Sequence, residues 1–179
     1  MSIKKEKILR VSKILNAVLK IGGIVLIMGM VLQIVFMIIA PSLDLESGEL
    51  IDVWGVNMPF DGSVDSFRAA MIFTMLSSGI MAAILIVASF IFKDISREGT
   101  PFTKKNSNKI KVISLLIIAQ CIVIPLLQLL AVMIFTSASN AFASFNLNLW
   151  FIIVAVIFFC LALIFQYGEE LQRQADETL

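Results

Sequence analysis

The chain has 179 residues, 59% of them hydrophobic, a mean hydropathy of +0.98 and no histidine. Soluble domains carry roughly 45–50% apolar residues, so an ordinary water-soluble globule is excluded. Imidazole catalysis and histidine-containing zinc sites are excluded with it. The net charge of +1 says little, whereas the placement of the charges says a great deal.

Residues 1–20 hold six bases, Lys4, Lys5, Lys7, Arg10, Lys13 and Lys20. On a helix, Ile8, Val11, Leu15 and Val18 share one face, with Arg10, Lys13 and Lys20 on another. Two readings stand for this basic, amphipathic lead-in: a helix lying on an anionic inner leaflet, or a cytoplasmic extension of the first spanning helix.

Four charge-free stretches follow, Ile21 to Ala40, Ala69 to Phe92, Val112 to Phe135 and Leu147 to Phe165, of 20, 24, 24 and 19 residues. A hydrocarbon core about 30 Å thick needs about 20 helical residues, so each is long enough to cross. None shows the polar stripe at a 3.6-residue period that a helix in a soluble bundle would carry. The fold class expected is all-α: a polytopic membrane protein of four transmembrane helices in one bundle. The first stretch is too long for the core of a cleaved signal peptide, and Ala40-Pro41 lacks a small-x-small cleavage site. Pro41 is read as the end of the first helix.

The loop 41–68 carries Asp44, Glu46, Glu49, Asp52, Asp61 and Asp65, with Gly55, Pro59 and Gly62 as turn residues. A short hairpin over Leu50 to Phe60 is one reading, and Trp54 as an interfacial anchor is the other. The loop 93–111 holds six bases, Lys93, Arg97, Lys104, Lys105, Lys109 and Lys111. Within it Gly99 suits a helix C-cap, Pro101 blocks continuation, and Thr103 is placed to cap the next helix by accepting from an amide near Asn106. The short loop 136–146 has no base, Trp150 and Tyr167 bracket the fourth stretch, and the tail 166–179 adds Arg173.

Thirteen of the 14 bases thus fall in residues 1–20, 93–111 and 166–179, leaving Arg68 alone on the other side. By the positive-inside rule, both ends and the middle loop are expected in the cytoplasm.

Few polar groups lie at membrane depth. Ser78 with Ala82 and Gly79 with Ala83 read as small-xxx-small packing pairs. Cys121 and Cys160 read as buried thiols serving as small apolar side chains. Gln33, Gln120 and Gln128, with Pro125 between the last two, form a candidate intramembrane cluster. Pro125 has no N–H for the carbonyl of Cys121, so a bend in the third helix and an interhelical partner for Gln120 or Gln128 are expected. The cluster is read either as interhelical glue or as a pocket. No acidic residue lies within a spanning stretch, no catalytic motif or metal-ligand spacing appears, and no cofactor is expected.

Two stretches resemble a known bacterial family: Arg97-Glu98-Gly99-Thr100-Pro101-Phe102-Thr103-Lys104-Lys105-Asn106 with Ile110-Lys111-Val112-Ile113, and Phe165-Gln166-Tyr167-Gly168-Glu169-Glu170-Leu171-Gln172 with Asp176, Thr178 and Leu179. The family comprises four-helix membrane proteins catalogued as a domain of unknown function and often encoded beside a small helix-turn-helix regulator. Arg173 and Gln174 stand where its tails usually continue with acidic residues. The resemblance implies a bacterial cell-membrane location and a helix-turn-helix regulator as cytoplasmic partner, with no catalytic residue to carry over.

The function expected is a non-enzymatic regulatory protein with a cytoplasmic docking face built from Lys104, Lys105 and Lys109 of the basic loop and Glu169, Glu170 and Leu171 of the acidic tail. The lipid bilayer is its other partner, and direct nucleic-acid contact is not expected. The alternative is a small transport or ligand-sensing protein that uses the glutamine cluster. An impermeant thiol reagent applied to intact cells is expected to modify a cysteine introduced at Asp52 and to spare one at Asn106; the reverse pattern would overturn the topology.

Overall fold

Apolar stretches flanked by good helix formers give long helices. The computed structural model describes residues 3–39, 51–53, 56–58, 64–135 and 149–177. Helix α1 runs Ile3–Ile39, α2 Val64–Glu98, α3 Lys104–Ile118, α4 Ile124–Phe135 and α5 Leu149–Glu177, with a π turn at Ala119–Val123 joining α3 to α4. Among the described residues, four segments are long and apolar enough to cross a membrane: Glu6–Ile39, Phe67–Glu98, Lys104–Leu130 and Leu149–Ala175. The lead-in is therefore continuous with the first apolar stretch, one helix of 37 residues, about 55 Å long at 1.5 Å per residue. That exceeds a hydrocarbon core by several turns.

One small departure from all-α is the hairpin. Ile51–Val53 (β1) pairs antiparallel with Val56–Met58 (β2), Ile51 opposite Met58 and Val53 opposite Val56. It falls inside Leu50 to Phe60, and β2 touches α2 and α4. Trp54 lies outside the described residues.

Contacts among the helices are uneven. The extended contacts of α1 are with α2, those of α5 with α3, and α2 and α3 join the two pairs. Positions 79, 82 and 86 of α2, which meet α1, and positions 77, 84, 88, 91 and 95, which meet the other helices, lie on opposite faces at 3.6 residues per turn. The core is accordingly a three-helix one: Ile91 and Ile95 of α2, Ile110, Ile113 and Ile117 of α3, Ala155 and Ala162 of α5. Helix α1 sits beside it as an outrigger.

Small residues set how closely these helices approach. A Cβ on Gly23 would sit 2.9 Å from Ile86 Cγ1, and one on Gly22 3.3 Å from Leu85 Cδ1, so α1 and α2 approach closely there and a larger residue at 23 would make Ile86 shift. The methyl end of Met30 rests over Gly79, and Ser78 and Ala82 are buried, as packing pairs should be. Between α3 and α5 the spacing is seven. Ser107 donates to the carbonyl of Ala162 at 2.8 Å and Ser114 to that of Ala155 at 3.0 Å, all four residues being fully buried. Equal steps on antiparallel helices keep one register through two turns.

Cys121 is buried, but Cys160 is exposed, correcting the expectation for the second thiol. The packing face of α5 is the Ala155–Ala162 stripe, and position 160 falls on its far side.

Ser107→Ala and Ser114→Ala are each expected to weaken the α3–α5 pairing by about 0.6 kcal/mol. Ser114→Leu, which places a branched side chain against the backbone of Ala155, is expected to cost more. Thermal unfolding in detergent reads all three.

Candidate functional site

The corner between α2 and α3 is built by local rules. Gly99 takes φ 71, the left-handed cap that ends α2 without a Cβ clash, and its N–H bonds the carbonyl of Ile95 at 3.0 Å. Thr103 caps α3, its Oγ1 accepting from the Asn106 N–H at 3.2 Å, as expected. Asn106 is fully buried and donates through Nδ2 to the carbonyl of Pro101 at 3.1 Å, bracing the corner from beneath.

This corner is clamped to the tail portion of α5. The Phe102 ring packs on the Phe165 ring, centroids 5.3 Å apart at 57°, in the tilted arrangement aromatic pairs favour. It also covers Gly168, where a Cβ would lie 2.5 Å from Phe102 Cδ1. Thr100 Oγ1 donates to Gln172 Oε1 at 3.0 Å, and Lys111 Nζ donates to Gln166 Oε1 at 3.2 Å. Two stretches far apart in sequence thus form one continuous surface, joined by an aromatic pair and neutral acceptors.

The charges are distributed less simply than an opposition of basic loop and acidic tail. Lys109 bonds Asp94 of α2, both side chains being largely shielded, so its charge is spent between α2 and α3. Glu170 accepts from Arg173 at 2.7 and 3.0 Å, and Gln174 adds a bond at 3.3 Å. The hydrogen bonds from Arg173 and Gln174 hold the Glu170 carboxyl below its ordinary range, and the same pair raises Arg173. A depressed carboxyl pKa means that this exposed pairing is present above the unfolded value and lost as pH falls through the folded one. Arg173 also reaches Glu177 at 3.9 Å. What the surface leaves outward is Lys104 and Lys105 at the start of α3, and Leu171 on α5 at 47% exposure, with Glu169 half-buried.

The glutamine group divides. Gln120 is buried and donates to Ser77 Oγ across the α2–α3 contact, as expected of an interhelical amide. Gln128 and Pro125 are buried on α4, and Gln33 lies on α1, whose extended contacts are with α2. The interruption before Pro125 takes the form of a π turn, in which the Ile124 N–H bonds the carbonyl of Ala119 five residues back. Pro125 has no N–H to prolong that pattern or to return to Cys121. The Gln120 side-chain amide goes to the neighbouring helix.

Sequence reasoning placed Gly99, Thr103 and the Gln120 contact but missed Phe102, Phe165 and Gly168 as the clamp. One signal was present. A glycine inside a helix costs about 1 kcal/mol against alanine, and Gly168 in the body of α5 marks a close approach. Among known proteins, no family model, curated protein or solved structure matches this chain.

Gly168→Val is expected to push Phe102 off α5. With Cys121 and Cys160 replaced by alanine, a short bis-maleimide should join cysteines introduced at Thr100 and Gln172, and the Gly168→Val change should cut that yield severalfold.

Proposed function

We propose that the protein is a non-enzymatic, multi-pass regulator of the bacterial cell membrane, its basic end in the cytoplasm. The corner of α2 and α3, clamped to the tail of α5, serves as a docking face for a small cytoplasmic protein. The observation that carries this reading is the clamp itself. Phe102 on Gly168 and Phe165 turns a loop and a tail into one preformed surface, and preformed surfaces bind with less ordering cost than mobile ones. Lys104 and Lys105 supply its positive side and Leu171 an apolar contact, while Lys109 and Glu170 act within the protein as its braces. The resemblance of these same two stretches to a family often encoded beside a helix-turn-helix regulator names the class of partner. Positive-inside counting supports the orientation, and exposed Lys104 is the position at which an introduced cysteine reports it.

The transport or ligand-sensing alternative draws on Gln33, Gln120, Pro125 and Gln128. It is the weaker reading because Gln120 already serves Ser77 between helices.

Removing residues 169–179 is expected to abolish co-purification of the helix-turn-helix partner from membranes, and Lys104→Glu with Lys105→Glu to weaken it severalfold while the protein still inserts. Undiminished co-purification after truncation would overturn the docking face.

A further inference from the structure

The α1–α2 pair is open at its basic end. Lys7, Ile8, Val11, Ser12 and Leu15 of α1 and Phe92 of α2 line a cleft of about 300 Å³. The helix register gives its depth. Seven residues back from Gly23 and seven forward from its contact Ile86 set Asn16 level with Lys93, the first charge after the second apolar stretch. The cleft therefore begins where the apolar span ends, walled there by Leu15 and Phe92. Lys7 stands eight residues beyond Leu15, about 12 Å farther out at 1.5 Å per residue. The polar layer of a bilayer extends roughly 5–7 Å beyond its hydrocarbon core on each side, within reach of a lysine that bends back toward it.

We propose that this cleft seats the head and the upper part of one acyl chain of an anionic phospholipid from the adjoining leaflet, the chain continuing into the hydrocarbon core past Leu15 and Phe92, with Lys7 on its phosphate. The walls suit a hydrocarbon chain: Ile8, Val11, Leu15 and Phe92 are apolar, and Ser12, 4% exposed, contributes the one small hydroxyl. Charge complementarity selects the headgroup. The first twenty residues hold six bases against a single acid, Glu6, and that acid lies 3.8 Å from Arg10, leaving Lys7 without an ion pair among the described residues. Lys93, 5.8 Å from the Phe90 ring centroid and level with Asn16, adds a second cation at the membrane end of the cleft. The surrounding face of α1 mixes Ile8, Val11 and Ile14, each about half exposed, with Lys7, Arg10 and Lys13. A lipid surface accommodates that mixture because the aliphatic groups sink toward the tails while the cations remain among phosphates. The site depends on the membrane-spanning reading and shares no residue with the docking face, so either can fail alone.

The test uses the purified full-length protein in detergent, titrated with phosphatidylglycerol or phosphatidylcholine and read by native mass spectrometry. One phosphatidylglycerol should bind in preference to phosphatidylcholine. Lys7→Gln should weaken it about fivefold, the equivalent of about 1 kcal/mol per lysine at an anionic surface. Val11→Trp, which fills the cleft from an exposed position, should remove both lipids, whereas Lys20→Gln, an equal charge loss on the same helix away from the cleft, should leave binding unchanged. Monodisperse elution of each variant confirms its fold. Equal binding of the two lipids, equal loss in Lys20→Gln, or displacement of the lipid by inorganic phosphate alone would overturn the proposal.

Discussion

Helices surrounded by lipid gain no hydrophobic attraction for one another, since the tails are as apolar as leucine; close backbone approach and hydrogen bonds must do that work. The Ser107–Ala162 and Ser114–Ala155 contacts do both at once. Each hydroxyl satisfies itself on a backbone carbonyl of the opposite helix, which requires the two backbones to lie near one another. Alanine is the residue on α5 that permits it. A larger side chain at 155 or 162 would separate the helices and strand two hydroxyls in a medium without water. The isoleucines of α3 and α2 then pack around that line of contact.

The same requirement explains the arrangement of the other helices. Helix α1 offers Gly22 and Gly23 to α2, and α2 offers Gly79 and Ala82 in return, so this pair is close-packed on one face of α2 only. The opposite face of α2 carries Ser77 and the isoleucines that complete the three-helix core, and Asp94 near its end bonds Lys109. A helix with two such faces orders its neighbours in a row. The aliphatic residues of α1 that point away from α2, among them Ile24, Met28, Val31 and Leu32, remain exposed, as lipid-facing positions are.

Much of the fold was legible because it follows from one-dimensional rules. Runs without charge gave the four long helices, and Gly99, Pro101 and Thr103 gave the corner through cap chemistry. What was not legible depends on which faces meet. Four amphipathically featureless apolar helices do not announce their neighbours, so the open row was not readable, nor was the outward aspect of Cys160. The heptad of Ser107 and Ser114 was visible, but its meaning needed Ala155 and Ala162 on a helix forty residues away. At the candidate site, charge counting assigned Lys109 of the basic loop and Glu170 of the acidic tail to an outward docking face. In the fold, Lys109 finds Asp94, Glu170 finds Arg173, and the loop meets the tail through Phe102. For Glu170 the local partner wins, because an i,i+3 arginine is always within reach; Lys109 reaches Asp94 because the packing of α3 on α2 sets the two side by side.

That division of labour bears on how the basic end can work. Exposed ion pairs are worth little and are screened by salt, so a surface held together by Lys–Glu contacts between loop and tail would loosen with ionic strength. Here the joint is made by an aromatic pair over a glycine and by hydrogen bonds to Gln166 and Gln172, and the shielded Lys109–Asp94 contact ties α2 to α3 directly behind it. The geometry of the corner is consequently set by packing, while Lys104 and Lys105 stay outward. Fixing shape with apolar contacts and leaving cations for the periphery keeps the form of the corner independent of salt, while the exposed charges remain subject to screening.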